Sequence, residues 1–550
     1  MIGSPVGNAQ RPQQRSHEVA RYPAPQGGMD IRQAIGSEDL NTCVYTYNML
    51  PFEYGLRIRE GYQEWQVGVD NGAGLGVHTL IPYDSAQDNG VGDKLFAVTN
   101  EGIWDVEVYG ATPILLLTFA DQTSEAGYGT YAHYVDDAGR DVLFYADSLN
   151  GLFEYTPATD TWAVSSGISG PVIADIKFIV SHKQRLWMVE ENSTKAWYLG
   201  IGSSSGQATE FFFGSKFKHG GTLEGLFSWT VDGGAGVDDL LVAVSHAGDV
   251  LVYQGSDPAV ADWGQRGTYF IGEIPNSPRF GTESGGELFL LSVYGLVSMA
   301  DLLLGVDTSI LRSDVDGSTM AYKIAGLIRQ EMRAKVGLAG WDVTVIPSEG
   351  GILVSSPTVG SAAPIQYYYN IGVQAWGLWR GVPMTCFDEY QGSVVFGTAD
   401  GRVCRMDVPV DDKRITPVEP EFNGEAINFS ILTSFTSFGQ PAVFKRAKLI
   451  RPDFIAQKAP LHSSVVRFDF DTSEGLDFQF STPDRFGVGI WDADKWDFAV
   501  WGSDSGTTFP SIGGSWGTGR YMAIATKGSA RTTTRLIGWD LIYDVGGPMA

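Results

Sequence analysis

Cysteine, positive charge and long apolar runs are all scarce in this chain of 550 residues. Only Cys43, Cys386 and Cys404 occur, an odd number without metal-ligand spacing, which argues against a disulfide framework or a cysteine zinc site and suits a reducing compartment. Lys and Arg number 38 against 64 Asp and Glu, a formal charge of −26, so the protein at large repels phosphate and a sequence-specific DNA reader is not expected. A surface that DNA must slide past without sticking would be acidic too. No stretch reaches the roughly 18 apolar residues of a membrane span, and the N-terminus lacks the basic, apolar, small-residue order of a secretory signal. The expectation is a protein made in the cytoplasm with no membrane-spanning segment. The seven histidines, at 17, 78, 133, 182, 219, 246 and 462, include no pair four residues apart, so no metal site is expected.

What is abundant is glycine, with 69 residues, and aromatic side chains, at 12% of the chain. Glycines set among aromatic and β-branched runs mean many tight turns, the composition of a mainly β protein. Two strand-like runs joined by a tight turn recur along the chain. They are Lys94–Thr99 with Ile103–Val108, Val142–Tyr145 with Leu152–Tyr155, and Arg185–Val189 with Ala196–Leu199. Leu240–Val244 with Val250–Tyr253, Glu287–Leu291 with Leu296–Ser298, Gly351–Val354 with Gln366–Tyr369, and Ser393–Gly397 with Arg402–Arg405 follow. Turn glycines at 102, 151, 248, 295 and 401 stand 49, 97, 47 and 106 residues apart, one or two units near 50. A lone amphipathic hairpin cannot bury its apolar face, so seven in series predict a β-propeller of about seven blades. The competing reading is a set of unrelated β-sandwich hairpins. Leu152 to Trp162 resembles a kelch-type blade ending.

The rhythm breaks at Met320 to Val336, where Met320, Ile324, Leu327, Ile328, Met332 and Val336 recur at helical spacing. The domain expectation is a flexible N-terminal arm over 1–28, a propeller over 29–408 with a helical insertion near 316–337, a Pro- and charge-rich linker over 409–420, and a separate C-terminal β-domain over 421–550. Trp491, Trp496, Trp501, Trp516 and Trp539 crowd the end of that domain, too many for loops unless they pack on something.

The search for chemistry returns spellings without context. Gly202-Ser-Ser-Ser-Gly206 matches a nucleophile elbow, but no strand precedes it and no helix follows to expose Ser204. Ser215-Lys-Phe-Lys218 and Gly72-Ala-Gly74-Leu-Gly76 likewise lack their partner motifs. Asp136 with Asp137, Asp238 with Asp239, or Asp314 with Asp316 can be imagined as an acid and base pair or as calcium ligands; solvated turns explain them better. No catalytic residue, cofactor or metal is assigned. The basic islands Arg57 and Arg59, and Lys445, Arg446, Lys448 and Arg451, are candidate subunit interfaces or solvated strand faces.

Three stretches together carry a family resemblance. The first is Leu40-Asn-Thr42 and Asn48-Met-Leu-Pro-Phe-Glu-Tyr-Gly-Leu-Arg-Ile-Arg-Glu-Gly-Tyr62, followed by Thr79-Leu-Ile-Pro82 and Leu95 to Val106. The second is Thr433-Ser-Phe-Thr-Ser-Phe-Gly-Gln-Pro-Ala-Val-Phe-Lys-Arg446 with Arg451-Pro452, and the third runs from Gly538-Trp-Asp-Leu-Ile-Tyr543 to Gly546-Gly-Pro548. In this order they resemble the nozzle, or tail tubular, proteins of short-tailed bacteriophages. The resemblance implies a non-enzymatic virion protein, six copies of which form a ring below the head-tail adaptor. It also implies contacts with tail fibres, retention of packaged DNA, and its passage on infection without sequence reading. Other tail propellers that touch fibres or receptor, and propeller glycosidases or lyases, remain alternatives.

Overall fold

The computed structural model describes residues 17–32, 39–70, 75–85, 92–232, 237–303, 322–358, 364–408, 411–413, 424–456, 459–474, 507–510, 513–514 and 517–548. The chain forms two compact units, one of Met1–Thr46, Tyr54–Arg57 and Asn428–Ala550, the other of Tyr47–Glu53 and Ile58–Ile427.

The larger unit is a succession of small antiparallel sheets. Sheet I holds Val77–Tyr83, Lys94–Thr99, Gly102–Asp105 and Ile114–Thr118. Sheet II holds Gly129–Val135, Asp141–Asp147, Gly151–Thr156 and Thr161–Val164; sheet III holds Ile176–His182, Arg185–Glu190, Lys195–Tyr198 and Thr209–Phe212. Sheet IV holds Leu223–Asp232, Val237–Ser245, Asp249–Gln254 and Gly264–Phe270, and sheet V only Gly281–Ser284, Glu287–Ser292 and Gly295–Ser298. In sheet VI, Asp342–Ile346, Gly351–Ser355, Ile365–Asn370 and Ala375–Arg380 pair in turn. Sheet VII takes Met384–Tyr390, Ser393–Thr398 and Arg402–Val408, and its fourth strand, Gly61–Val67, comes from before sheet I. The first strand of each sheet packs beside the first strand of the next, and that of sheet VII returns to that of sheet I.

This arrangement explains the sequence pattern. Second strands such as Val142–Ala146 and Leu240–Val244 are buried at every residue, because their sheets are covered on both faces and alternation gives way to an apolar run. The core lies between successive sheets: Phe96 and Val98 of sheet I meet Leu143 and Phe153 of sheet II, while Phe144 of sheet II meets Ile179 and Met188 of sheet III. All seven expected hairpins form, each as the second and third strands of its sheet.

Between sheets V and VI stands the inserted helix, Ala325–Lys335, entered through a 3-10 turn, Tyr322–Ile324. Of the expected stretch of 320–336, Met320 lies outside the described residues and Val336 is the cap that follows the helix. Ile324, Ile328 and Met332, four residues apart, form its buried stripe, whereas Gly326 is exposed.

In the smaller unit a 15-residue strand, Thr534–Pro548, lies between His17–Pro23 and the 14-residue Val443–Ala456, with Leu56 and Arg57 also paired to it. Residues 17–23 were expected within a flexible arm. They are a strand because Gly538–Asp544 offers an in-register ladder and Tyr22 inserts fully, its hydroxyl donating to the Met522 carbonyl at 2.9 Å. The C-terminal β structure expected after 421 is present in Val443–Ala456, Leu461–Phe468, Met522–Ala530 and Thr534–Pro548. Trp539 is buried, donating its indole N–H to Thr526 Oγ1 at 2.9 Å; Trp491, Trp496, Trp501 and Trp516 lie outside the described residues, as does most of the expected linker.

Candidate functional site

The six cations proposed as interface residues separate by burial. Arg59 is fully buried in the larger unit, where it donates to Asn48 Oδ1 at 3.1 Å, the Glu60 carbonyl at 2.7 Å and the Asp412 carboxylate at 2.8 and 2.5 Å. Lys445 is buried in the smaller unit, its ammonium held by the carbonyls of Gln440, Val443 and Arg520 at 2.8 to 3.2 Å. Both cations are engaged inside their own unit: Arg59 lies at a strand entry where acceptors converge, and Lys445 lies at a buried position of a long strand. Arg57 is half-buried on its short strand. Lys448 pairs with Asp544 at 2.8 Å, and Arg451 reaches Asp540 at 2.9 Å and Asp453 at 3.4 Å. Arg21, not singled out by sequence, completes that group by also bonding Asp540 at 2.9 Å and Asp453. Arg446 is exposed and makes no ion pair among the described residues.

The match at Gly202 to Gly206 is a turn, Ser215 and Lys216 lie in a 3-10 turn over Gly214–Lys216, and Gly72 and Gly74 lie outside the described residues. Ser204 is buried and donates to Asp136 Oδ2 at 2.7 Å; that bond first, and then the Arg140 and Ala138 amides donating at 2.8 and 3.0 Å, hold the Asp136 carboxyl below the usual range. Asp239 accepts from Thr230 at 2.8 Å, and Asp314 and Asp316 lie outside the described residues.

What sequence reasoning missed is a set of buried polar groups in the larger unit, a polar knot drawn from several sheets. Arg279, preceding sheet V, donates Nη2 to Asp342 of sheet VI at 3.1 Å and to the His78 carbonyl of sheet I at 2.8 Å. Asp388 of sheet VII accepts from the Tyr131 hydroxyl of sheet II at 2.7 Å and from the Glu389 amide at 2.8 Å. Asp147 accepts from the Gly127 amide at 2.7 Å and from the Asn150 amide at 2.9 Å. Burial pushes the Asp388 carboxyl up to about 7, with the negative charge of Asp342 adding to it and the Tyr131 hydroxyl and Arg279 opposing it. Burial raises Asp342 as well, against the nearby Arg279 guanidinium. Cys386, beside them, is pushed up to about 12 by burial and stays a thiol. Arg279 thus ties sheet I to sheet VI and Asp388 ties sheet VII to sheet II, an arrangement that fixes the strands and lets the Asp388 carboxyl exchange a proton near neutrality.

A pocket of about 440 Å³ is bordered by Tyr128, Lys177, Glu191, Thr222, His246 and Ser277 among others. Tyr128 stacks on His78 with ring centroids 4.2 Å apart.

No family model matches the chain, and no curated protein matches it. Among solved structures it is similar to an extracellular domain of a hybrid two-component system from B. thetaiotaomicron, at 12% identity and a TM-score of 0.37 over 70% of this chain. The chain spans about half of that domain, 49%. It is also similar to the computationally designed protein Ika8, at 11% identity and a TM-score of 0.33, over 64% of this chain and 100% of that one.

Proposed function

We propose that the seven sheets are the blades of a β-propeller and that the protein is a structural tail subunit of a short-tailed phage. In this reading six copies form a nozzle ring below the head-tail adaptor, touch tail fibres, retain packaged DNA and pass it on infection. Gly61–Val67, as the fourth strand of the last sheet, supports the propeller, since such a strand joins the two ends of a circuit and leaves no open seam.

One observation carries the functional reading. The sequence stretches that resemble nozzle proteins, Leu40 to Val106, Thr433 to Pro452 and Gly538 to Pro548, lie far apart along the chain and meet on one strand of the smaller unit. Leu56 and Arg57 of the first pair with Leu536 and Arg535, and Val443–Ala456, which begins in the second, lies antiparallel to the third. That parts of all three share one sheet supports a common role for that sheet. The net charge of −26 suits a channel wall that repels phosphate.

Negative-stain microscopy of the purified protein, or of the particle that contains it, tests the assignment. A six-membered ring with an axial hole is expected, and carboxylates should line the hole in a higher-resolution map. A threefold particle would point to a fibre-like receptor reader, and a monomer that turns over polysaccharide to an enzyme; either outcome removes the nozzle reading.

A further inference from the structure

The pocket bordered by Tyr128 and Lys177 is large enough for two or three sugar rings and has the wrong lining for an apolar cofactor. Its side chains are arranged as hydrogen-bonded pairs of donor and acceptor. Lys177 donates to Glu224 Oε2 at 2.6 Å, and the Thr222 hydroxyl donates to the other oxygen of the same carboxylate at 2.5 Å. On the neighbouring turn, Asn192 Nδ2 donates to Glu191 Oε1 at 3.2 Å. His246 stands 4.0 Å from Glu224 and 3.9 Å from Glu273.

A sugar hydroxyl both donates and accepts, and vicinal hydroxyls present that pairing twice at short spacing, which an amide next to a carboxylate can match. Tyr128, its ring fixed by stacking on His78, adds a rigid aromatic surface of the kind on which a pyranose face packs. Glu125, Glu191 and Glu224 outnumber Lys177, so phosphate esters and acidic sugars are repelled. We propose that this pocket binds a neutral oligosaccharide of two or three residues. The inference goes beyond the assembly reading and does not rest on it, since the pocket lies within the larger unit of a single copy.

Saturation-transfer NMR of the full chain with maltotriose, lactose and diacetylchitobiose tests it, with spermidine and a glucuronate disaccharide as charged controls. At least one neutral sugar should receive saturation, and Glu191→Gln and Asn192→Asp should each weaken its binding about tenfold or more. Asn192 has a left-handed backbone (φ 51°), which Asp tolerates, so unchanged thermal melting is expected of both variants. If Asn192→Asp melts lower, Glu191→Gln alone decides. No transfer to any neutral sugar, unaltered binding by the variants, or tighter binding of spermidine or the acidic disaccharide overturns the proposal. Ring formation is read separately by microscopy, so neither result depends on the other.

Discussion

A guanidinium survives inside the larger unit because acceptors surround Arg59: the Asn48 side chain, two backbone carbonyls and both oxygens of Asp412. Removing one partner of such a pair leaves a buried charge uncompensated, so Asp412→Ala is expected to cost about 3–5 kcal/mol, read as a lower urea midpoint. Replacing Arg59 and Asp412 together by Met and Leu should cost less. Asp388 gives the protein a pH dependence of known sign. Its carboxyl, held at about 7, keeps a proton in the folded chain over a range where the unfolded chain, with a carboxyl near about 3.9, has lost it. Its contribution to stability is therefore full below about pH 4 and is lost as pH rises to about 7. Asp388→Asn keeps an oxygen for the Tyr131 hydroxyl and removes this slope, so its advantage over the parent should grow across that window and level off above it. Urea midpoints on either side of the window check this. Arg446, exposed and outside any ion pair among the described residues, is the candidate cation best placed to meet another copy. Arg446→Glu is expected to reduce ring formation in sedimentation while leaving thermal melting within about 0.5 kcal/mol of the parent.

At the scale of elements, the turns decide how tightly hairpins close. Gly248 has φ 93°, and a Cβ there would stand 2.8 Å from the Gly272 nitrogen and closer still to its carbonyl, so Gly248→Ala should destabilise by about 1–3 kcal/mol, seen as a lower melting temperature. The same turns made the hairpins legible in the sequence. Second strands read as unbroken apolar runs because both their faces are covered, and Ile324, Ile328 and Met332 marked the helix by their spacing. First and fourth strands were harder to see. Thr161–Val164 and Thr209–Phe212 are mostly exposed and carry no periodic signal, while first strands place His78, Tyr131 and Asp388 among apolar residues. Gly61–Val67 could not be assigned to sheet VII from local pattern, because its partner Arg402–Val408 is remote in the chain. The polar knot was hidden for the same reason: Arg279, Asp342 and Asp388 have no fixed spacing, and the trace they leave is a charge beside a buried aromatic, as in Trp341-Asp342 and Phe387-Asp388. The sugar-sized pocket is likewise assembled from turns of several sheets.

At the scale of the whole molecule, charge and connectivity set the terms of assembly. Copies that each carry −26 repel one another at long range, so rings should accumulate as ionic strength rises from about 0.01 to about 0.15 M, where the Debye length falls from about 30 to about 8 Å. Sedimentation velocity across that range checks this, and rings that dissociate on adding salt would mean that ion pairs between copies hold them. The strand His17–Pro23 has a different consequence, which concerns time. Arg21 and its partner Asp540 are 519 residues apart. At about 5–20 residues per second, the start of the chain waits roughly half a minute to nearly two minutes after leaving the ribosome before its mate has been translated. A nascent edge left bare for so long invites chaperone capture. A premature stop codon before residue 538 would leave it bare for good, so ribosomes that fail late in the message release a chain whose first strand has nothing to join.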